Sequence, residues 1–368
     1  MNTLISDEEL KSIFIDFARN SDYKLSVILG AGASFGYSRT DGYIFRPPAV
    51  SELLNDANPL VKSVIEKPEH VSVKGQRAHI ERSIKGFGGD LEAYLSDIYS
   101  NDKADNLFPS MLRYLEDIFT IASKNIDLDD NHYKTLLNRI RDLRGPRPWS
   151  ILTFNYDTLL EQSIVDLPRF IPGRTFLSDE NYINPNPRVL KMHGGVNLRY
   201  ITLPEPTMAD STSFHDVFTE MMNTQEPINS YLEVKATDSA VPGFRVYRKF
   251  KDLPEQITYN FPLMMIPIHT VVRSENSFFA RQIEFAKSEI SQSKLIIAIG
   301  YQFGDNTFME ALSDVNLQES ILILVGSRNL IEQTTESRAY KAALKVWPAH
   351  NIRIYDREGF GNFVDALY

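Results

Sequence analysis

Short apolar runs, each closed by glycine or by a polar turn, constrain this chain more than any other feature. The first is Leu25-Ser-Val-Ile-Leu29, which leads straight into Gly30-Ala-Gly-Ala-Ser34. Comparable runs occupy 149–154, 189–192, 263–266, 295–299, 321–325 and 352–355. Their length and β-branched content predict strands buried on both faces, because no alternation leaves a polar side. Helical patterns near 156–165, 275–291, 305–316 and 333–346 separate several of them. Buried strands that alternate with helices predict an α/β fold, a Rossmann-like and mostly parallel sheet with helices on both faces.

Two stretches stand apart from that alternation. Residues 6–17 read as an amphipathic helix: Ser6 and Glu9 have capping-box spacing, and Leu10, Ile13, Phe14 and Phe17 recur at helical intervals. Between the first strand and the second, helical patterns near 50–66, 90–101, 107–124 and 130–143 are joined by turns such as Gly86-Phe-Gly-Gly89. The expected organisation is a sheet domain made of 1–35 and 148–368, with 36–147 inserted as a helical module packed on it. Asp90-Leu-Glu-Ala-Tyr94 in that module reads as helix packing. The segment 198–260 carries no strong period.

Composition narrows the function classes. A chain of 368 residues that is 43% hydrophobic can bury a large core, and its net charge of −9 argues against a surface built to hold nucleic acid. The absence of cysteine excludes disulfides, thiolate nucleophiles and a cysteine-based zinc site. The start of the chain has acids and no apolar core, so no secretory signal is expected. No apolar run approaches the roughly 20 residues that span a bilayer. The expectation is a soluble, cytoplasmic protein.

Ligands of open parallel sheets sit outside the carboxyl ends of the strands, so the turns are where function should be sought. Gly30, Ala31, Gly32, Ala33 and Ser34 are small enough to let a phosphate approach the backbone. The dinucleotide fingerprint is incomplete, since Phe35 stands where a third glycine falls and Glu52, about 20 residues on, lies in a helical pattern. A hydride-transferring dehydrogenase therefore fits poorly, and a tight turn without ligand remains an alternative. Thr153-Phe-Asn155-Tyr-Asp157 and Lys191-Met-His193-Gly-Gly195 close two further strands. Asn155 and Asp157 can equally cap the helix that begins near Thr158. Gly300-Tyr-Gln-Phe-Gly-Asp305 closes another strand, with Asp305 or Asn306 able to cap the next helix, and Gly326-Ser-Arg-Asn329 closes a fourth. One shared crevice accounts for all of these turns together.

Taken in order, Gly30–Ser34, Thr153–Asp157, Lys191–Gly194 and Gly300–Asp305 resemble the motifs of the sirtuin superfamily, and specifically its prokaryotic sirtuin-like branch. The resemblance implies NAD⁺ as cofactor and substrate. Gly30 to Ser34 would hold the pyrophosphate, Asn155 and Asp157 would line the nicotinamide–ribose pocket, and His193 would be the general base. Gly300, Tyr301 and Asp305 would join the cofactor-binding set near the phosphates or adenine ribose, with Ser327 and Asn329 near the adenine. Protein-deacylating sirtuins carry a four-cysteine zinc module and a glutamine where this chain has Phe154. Those departures turn the implied activity toward hydrolysis of the nicotinamide–ribose bond, with no zinc or other metal, as in antiphage defence effectors that deplete NAD⁺. Relatives of this size imply a homo-oligomer and a partner ATPase of the HerA class encoded nearby. The alternatives are a non-catalytic NAD⁺ or ADP-ribose binding module, or a protein deacylase.

Overall fold

The computed structural model describes residues 3–20, 22–36, 46–101, 107–125, 131–164, 187–202, 228–229, 232–235, 243–246, 259–264 and 278–367. The end of the expected 263–266 strand, the first residues of the expected 275–291 helix and most of 198–260 lie outside them. The chain runs β1 (Leu4–Ile5), α1 (Asp7–Arg19), β2 (Lys24–Leu29), α2 (Ala31–Phe35), α3 (Pro59–Ile65), α4 (Val71–Gly86), α5 (Leu91–Asn101), α6 (Leu107–Lys124), α7 (His132–Arg144), β3 (Trp149–Thr153) and α8 (Leu159–Ser163). It continues through β4 (Arg188–Lys191), β5 (Gly194–Thr202), β6 (Ile228–Asn229), β7 (Leu232–Lys235), β8 (Gly243–Val246) and β9 (Tyr259–Met264). It ends with α9 (Phe278–Gln292), β10 (Ser293–Ile299), α10 (Asn306–Ser313), β11 (Ile321–Val325), α11 (Arg328–Gln333), α12 (Arg338–Ala343), β12 (Ile352–Tyr355) and α13 (Gly359–Ala366).

Seven strands form one sheet in the order β1-β12-β11-β10-β2-β3-β4, and every pairing in it is parallel. This is the expected Rossmann-like α/β architecture. Alternation along each strand sends side chains to two cores. Leu25, Val27 and Leu29 of β2 with Ile151 of β3 pack under α1, α7, α8 and α13. Ile28 and Leu152, one residue out of step, pack with Ile296 and Ala298 under α9, α10, α11 and α12. Val27, Ile28, Ile296, Ile297 and Ile323 are fully excluded from solvent; each such side chain contributes about 1.5–3 kcal/mol relative to exposure. A third core joins α3 to α6 and takes in Tyr156, Val196, Met264 and Phe279.

Local chemistry explains the element ends. Ser6 and Glu9 form the expected capping box on α1. The pattern near 50–66 divides into a short 3₁₀ turn and α3, because Asn58 caps Leu60 and Val61 and Pro59 takes the first helical position. Asn131 likewise starts α7 by accepting from the amides of Tyr133 and Lys134. The apolar run at 263–266 needs correction. Its described part belongs to β9, which pairs antiparallel with β5 in a separate small sheet and not with the parallel strands. A run's composition marks a strand but does not select its partner.

Candidate active site

From β2 the chain proceeds to β3 and β4 on one side, whereas β10, β11 and β12 lie on the other. The strand order thus switches direction between β2 and β10, and such a switch opens a crevice at the carboxyl ends. The turns that follow these two strands touch there. Gly30 N–H donates to the Ile299 carbonyl at 3.0 Å, Gly32 N–H donates to the Gly300 carbonyl at 3.1 Å, and Gly300 N–H donates to the Val325 carbonyl at 2.9 Å. A Cβ on Gly30 would lie 2.5 Å from the Gly300 oxygen, and one on Gly300 would lie 2.5 Å from Gly32 Cα. Gly300 also has φ of +61°, a conformation in which a side chain is strained. The glycines therefore let two backbone turns meet. Ala31 and Gly32 face outward at the start of α2, while Ala33 and Ser34 are buried.

Asn155 reaches across to this turn from the end of β3. Its Nδ2 donates to the Gly30 carbonyl at 3.0 Å and to Ser34 Oγ at 2.9 Å, with the Tyr133 hydroxyl at 3.3 Å. Ser34 Oγ and the Tyr133 hydroxyl are themselves 2.9 Å apart. Ser34 also hydrogen-bonds the Asp157 carboxylate, and Asp157 Oδ1 accepts from Leu159 N–H at 3.1 Å. Asp157 thus braces the turn into α8 from the residue before its N-cap, Thr158, while Asn155 is engaged by the glycine turn. Burial pushes the Asp157 carboxyl above the ordinary carboxylate range, against the Ser34 hydroxyl and the Lys191 charge, which hold it down.

Lys191 braces this turn from β4. Its Nζ donates to the Asp157 carbonyl at 2.9 Å and to Glu161 Oε1 at 2.5 Å, and neither side chain of the ion pair is appreciably exposed.

His193 belongs to the other side of the crevice. Its Nε2 lies 2.7 Å from Asp305 Oδ2, and Asp305 Oδ1 accepts from Phe308 N–H at 3.0 Å as the N-cap of α10. Burial pushes the Asp305 carboxyl up, but His193 and the amides of Phe308 and Thr307 outweigh it and hold the group below its ordinary value. Aromatic rings surround the imidazole: Phe154 meets it edge-on with centroids 5.0 Å apart, and Tyr156 lies tilted at 6.1 Å. Tyr301 stacks on Phe154 at 4.2 Å. In the same loop Phe303 holds φ of 54° and packs on Tyr301 and Trp347. Backbone strain of this kind is maintained only by well-packed surroundings.

The structure brings Gly30 to Ser34, Asn155, Asp157, Gly300 and Tyr301 to the switch point, and His193 to Asp305. Ser327 and Asn329 lie exposed at the start of α11, one strand further out. Sequence reasoning missed Tyr133, a side chain of the helical stretch that reaches Ser34 and Asn155, and it gave no role to Lys191 or Glu161. It identified His193 and Asp305 separately but not that they pair. The carboxylate–imidazole grouping Glu69, His70 and Asp117 lies in the helical region, where Lys67 already donates to Asp117 at 2.7 Å.

No family model matches the chain. No curated protein matches it either. Solved structures do. A Sir2 homologue in complex with NAD is similar at a TM-score of 0.42 and 11% identity, over 97% of this chain and 91% of that one. Sir2Tm bound to a propionylated peptide is similar at 0.37 and 12%, over 96% and 95%. A Sir2 homologue mutant in complex with ADP ribose is similar at 0.40 and 12%, over 97% and 94%. A likeness at this level says nothing about what this chain binds. Among the described residues, no helix is long and apolar enough to cross a membrane.

Proposed function

We propose that this chain is a sirtuin-like NAD⁺ hydrolase that cleaves the nicotinamide–ribose bond to give nicotinamide and ADP-ribose. The observation that carries this reading is the meeting of the strand-end motifs at one switch point, with a fixed amide on one side and a carboxylate-paired imidazole on the other. In this reading residues 1–35 and 148–368 form the NAD-binding domain, and 36–147 is a helical module packed on it. The exposed edge at Ala31 and Gly32 takes the pyrophosphate, Tyr301 and Asp305 border the ribose, and Ser327 with Asn329 serves the adenine end.

The chemistry needs little from the protein beyond placement and one proton acceptor. Nicotinamide leaves as a neutral molecule, carrying the electron pair of the C–N bond, so no general acid is required. Water then adds to the ribose carbon and gives up a proton. The costly species is the oxocarbenium-like sugar, and a catalyst must favour it over the ground state. Asn155 orients ribose hydroxyls or the water, and His193 accepts the proton. Asp305 orients the imidazole through Nε2, and His193 serves as the general base.

Unregulated hydrolysis of NAD⁺ would kill the cell that makes the enzyme. We therefore propose a cytoplasmic antiphage effector, controlled by self-assembly or by a HerA-class ATPase encoded beside it. Asn155 and His193 are only 7% and 2% exposed, which fits a site held closed until a partner acts. The test is nicotinamide release by the purified chain, with and without that ATPase. His193→Ala is expected to lose about 10²–10⁴-fold, the usual size of general-base assistance, and Asn155→Ala should be similarly impaired. Release by both variants at the parent rate would refute the mechanism.

A further inference from the structure

Gln282 lies on α9, is fully excluded from solvent, and has neither Oε1 nor Nε2 in a hydrogen bond among the described residues. A buried amide with both ends unmet is costly, and such groups are rare in folded proteins. Its height in the fold follows from a neighbouring ion pair. Glu289, further along α9, pairs with Arg188 at the start of β4. Gln282 and Glu289 are two helical turns apart on one face, roughly 10 Å at 1.5 Å per residue. From Arg188 to Lys191 the strand rises by about the same distance. Because α9 leads directly into parallel β10, it runs antiparallel to β4. Gln282 therefore stands level with the end of β4, where Met192 and His193 follow.

The neighbours agree with that height. Ile283 packs in the core that holds Phe154 and Met192, and Phe279 packs in the one that holds Tyr156 and Val196. Phe154 and Tyr156 are the rings that flank His193. A flat aromatic ligand seated among these rings would put its edge substituent within reach of an amide at this level.

We propose that Gln282 reads the primary carboxamide of nicotinamide, through a paired donor and acceptor, and so orients the leaving group of NAD⁺. The inference rests on the reading of the chain as an NAD⁺-binding protein. A glutamine amide offers one acceptor and two donor hydrogens in a plane. A primary carboxamide presents the complementary set, whereas a carboxylate satisfies only the donor side. Gln282 is a specificity-determining residue, and the proton and bond changes take place elsewhere in the site.

The test is calorimetric titration of the full chain in a His193→Ala background, so that no substrate is consumed, with NAD⁺, nicotinic acid adenine dinucleotide and ADP-ribose as probes. The Gln282 chain should bind NAD⁺ at least tenfold more tightly than the carboxylate analogue. Gln282→Leu should weaken NAD⁺ at least tenfold and leave ADP-ribose, which lacks the pyridine, within twofold. It should also unfold at the same or a higher temperature, because two unmet polar atoms are removed. Gln282→Glu, which keeps the shape but offers no donor to the carboxamide oxygen, should also weaken NAD⁺ and provides the answer if the leucine variant does not fold. Undiminished NAD⁺ binding by Gln282→Leu, or by Gln282→Glu where leucine fails, overturns the inference while the NAD⁺ reading stands. Equal loss of NAD⁺ and ADP-ribose with a lower unfolding temperature also overturns it, in favour of a packing role. A parent chain that binds neither nucleotide overturns the NAD⁺ reading and this inference with it.

Discussion

On one side of the crevice Asn155, Ser34, Tyr133 and Gly30 exchange hydrogen bonds among uncharged groups; on the other, His193 meets the Asp305 carboxylate at the start of a helix. The separation has a simple origin. Consecutive residues at a strand end project to opposite faces, so Phe154 joins the core with α9 to α12, whereas Asn155 turns toward α7. A network of this kind fixes geometry, and the titrating group that adjoins it is Asp157, through Ser34. A carboxylate–imidazole pair can hand protons on. In the proposed mechanism, placement and proton transfer therefore fall on the two sides of one crevice.

The division can be broken most severely from below the neutral side. Lys191→Ala leaves Glu161, itself 2% exposed, as a buried charge without its cation. Removing one partner of such a pair typically costs about 3–5 kcal/mol, to be read from the midpoint of urea unfolding. The double variant Lys191→Met/Glu161→Leu should recover most of that loss, since an apolar pair of similar volume carries no desolvation penalty. Gly300→Ala strikes both sides at once. A left-handed backbone and a Cβ against the Gly32 backbone together cost roughly 2–5 kcal/mol. Unfolding unchanged by Gly300→Ala would mean that the two turns do not touch as described.

Much of this arrangement was legible in the chain itself. Apolar runs ending in glycine or a polar turn locate β2, β3, β4 and β10, because burial on both faces removes the polar half of a strand's pattern. The ends of those strands then point to Gly30, Asn155, His193 and Gly300. What was not legible depended on tertiary partners. Tyr133 reaches Ser34 across 99 residues and Asp305 reaches His193 across 112, and no local pattern encodes either meeting. α4 escaped notice because only Val73, Ile80 and Ile84 of its length are buried and Gly75 interrupts it. The 333–346 pattern does not give one helix, as the chain breaks into α11, a 3₁₀ turn and α12, with Thr334 at φ of 38°.

Acid sharpens the comparison, because the two carboxylates of the crevice have shifted in opposite directions. Asp305 is held below its ordinary value, so it contributes stability above the unfolded carboxylate pKa of about 3.9, and that stability is lost as pH falls through the lower folded value. Asp157 is raised by burial, so its contribution is present below about pH 3.9 and is lost as pH rises through the higher folded value. Asp305→Asn should therefore unfold at a lower temperature than the parent at pH 7, by a margin that shrinks in acid. Asp157→Asn should unfold at a higher temperature at pH 7, with the gain vanishing as pH falls. Calorimetric scans across pH 3–7 (an approximate window set by the carboxylate pKa) would show parallel behaviour if the two sites were electrostatically alike.

The smallest expected effect is also the most specific to the neutral side. Tyr133→Phe keeps the ring that packs edge-on against Phe360 at 5.3 Å and deletes only the hydroxyl shared by Ser34 and Asn155. Because Asn155 Nδ2 still has Gly30 and Ser34 as acceptors, no group on that side chain is left orphaned. A loss of about 1 kcal/mol is expected, the usual worth of a single hydrogen bond between neutral groups. The same deletion should leave the Asp305→Asn temperature shift unchanged at every pH. A double-variant cycle that found Tyr133→Phe coupled to Asp305→Asn by more than a few tenths of a kcal/mol would mean that the two sides of the crevice act as one network, and the division between placement and proton transfer would fall.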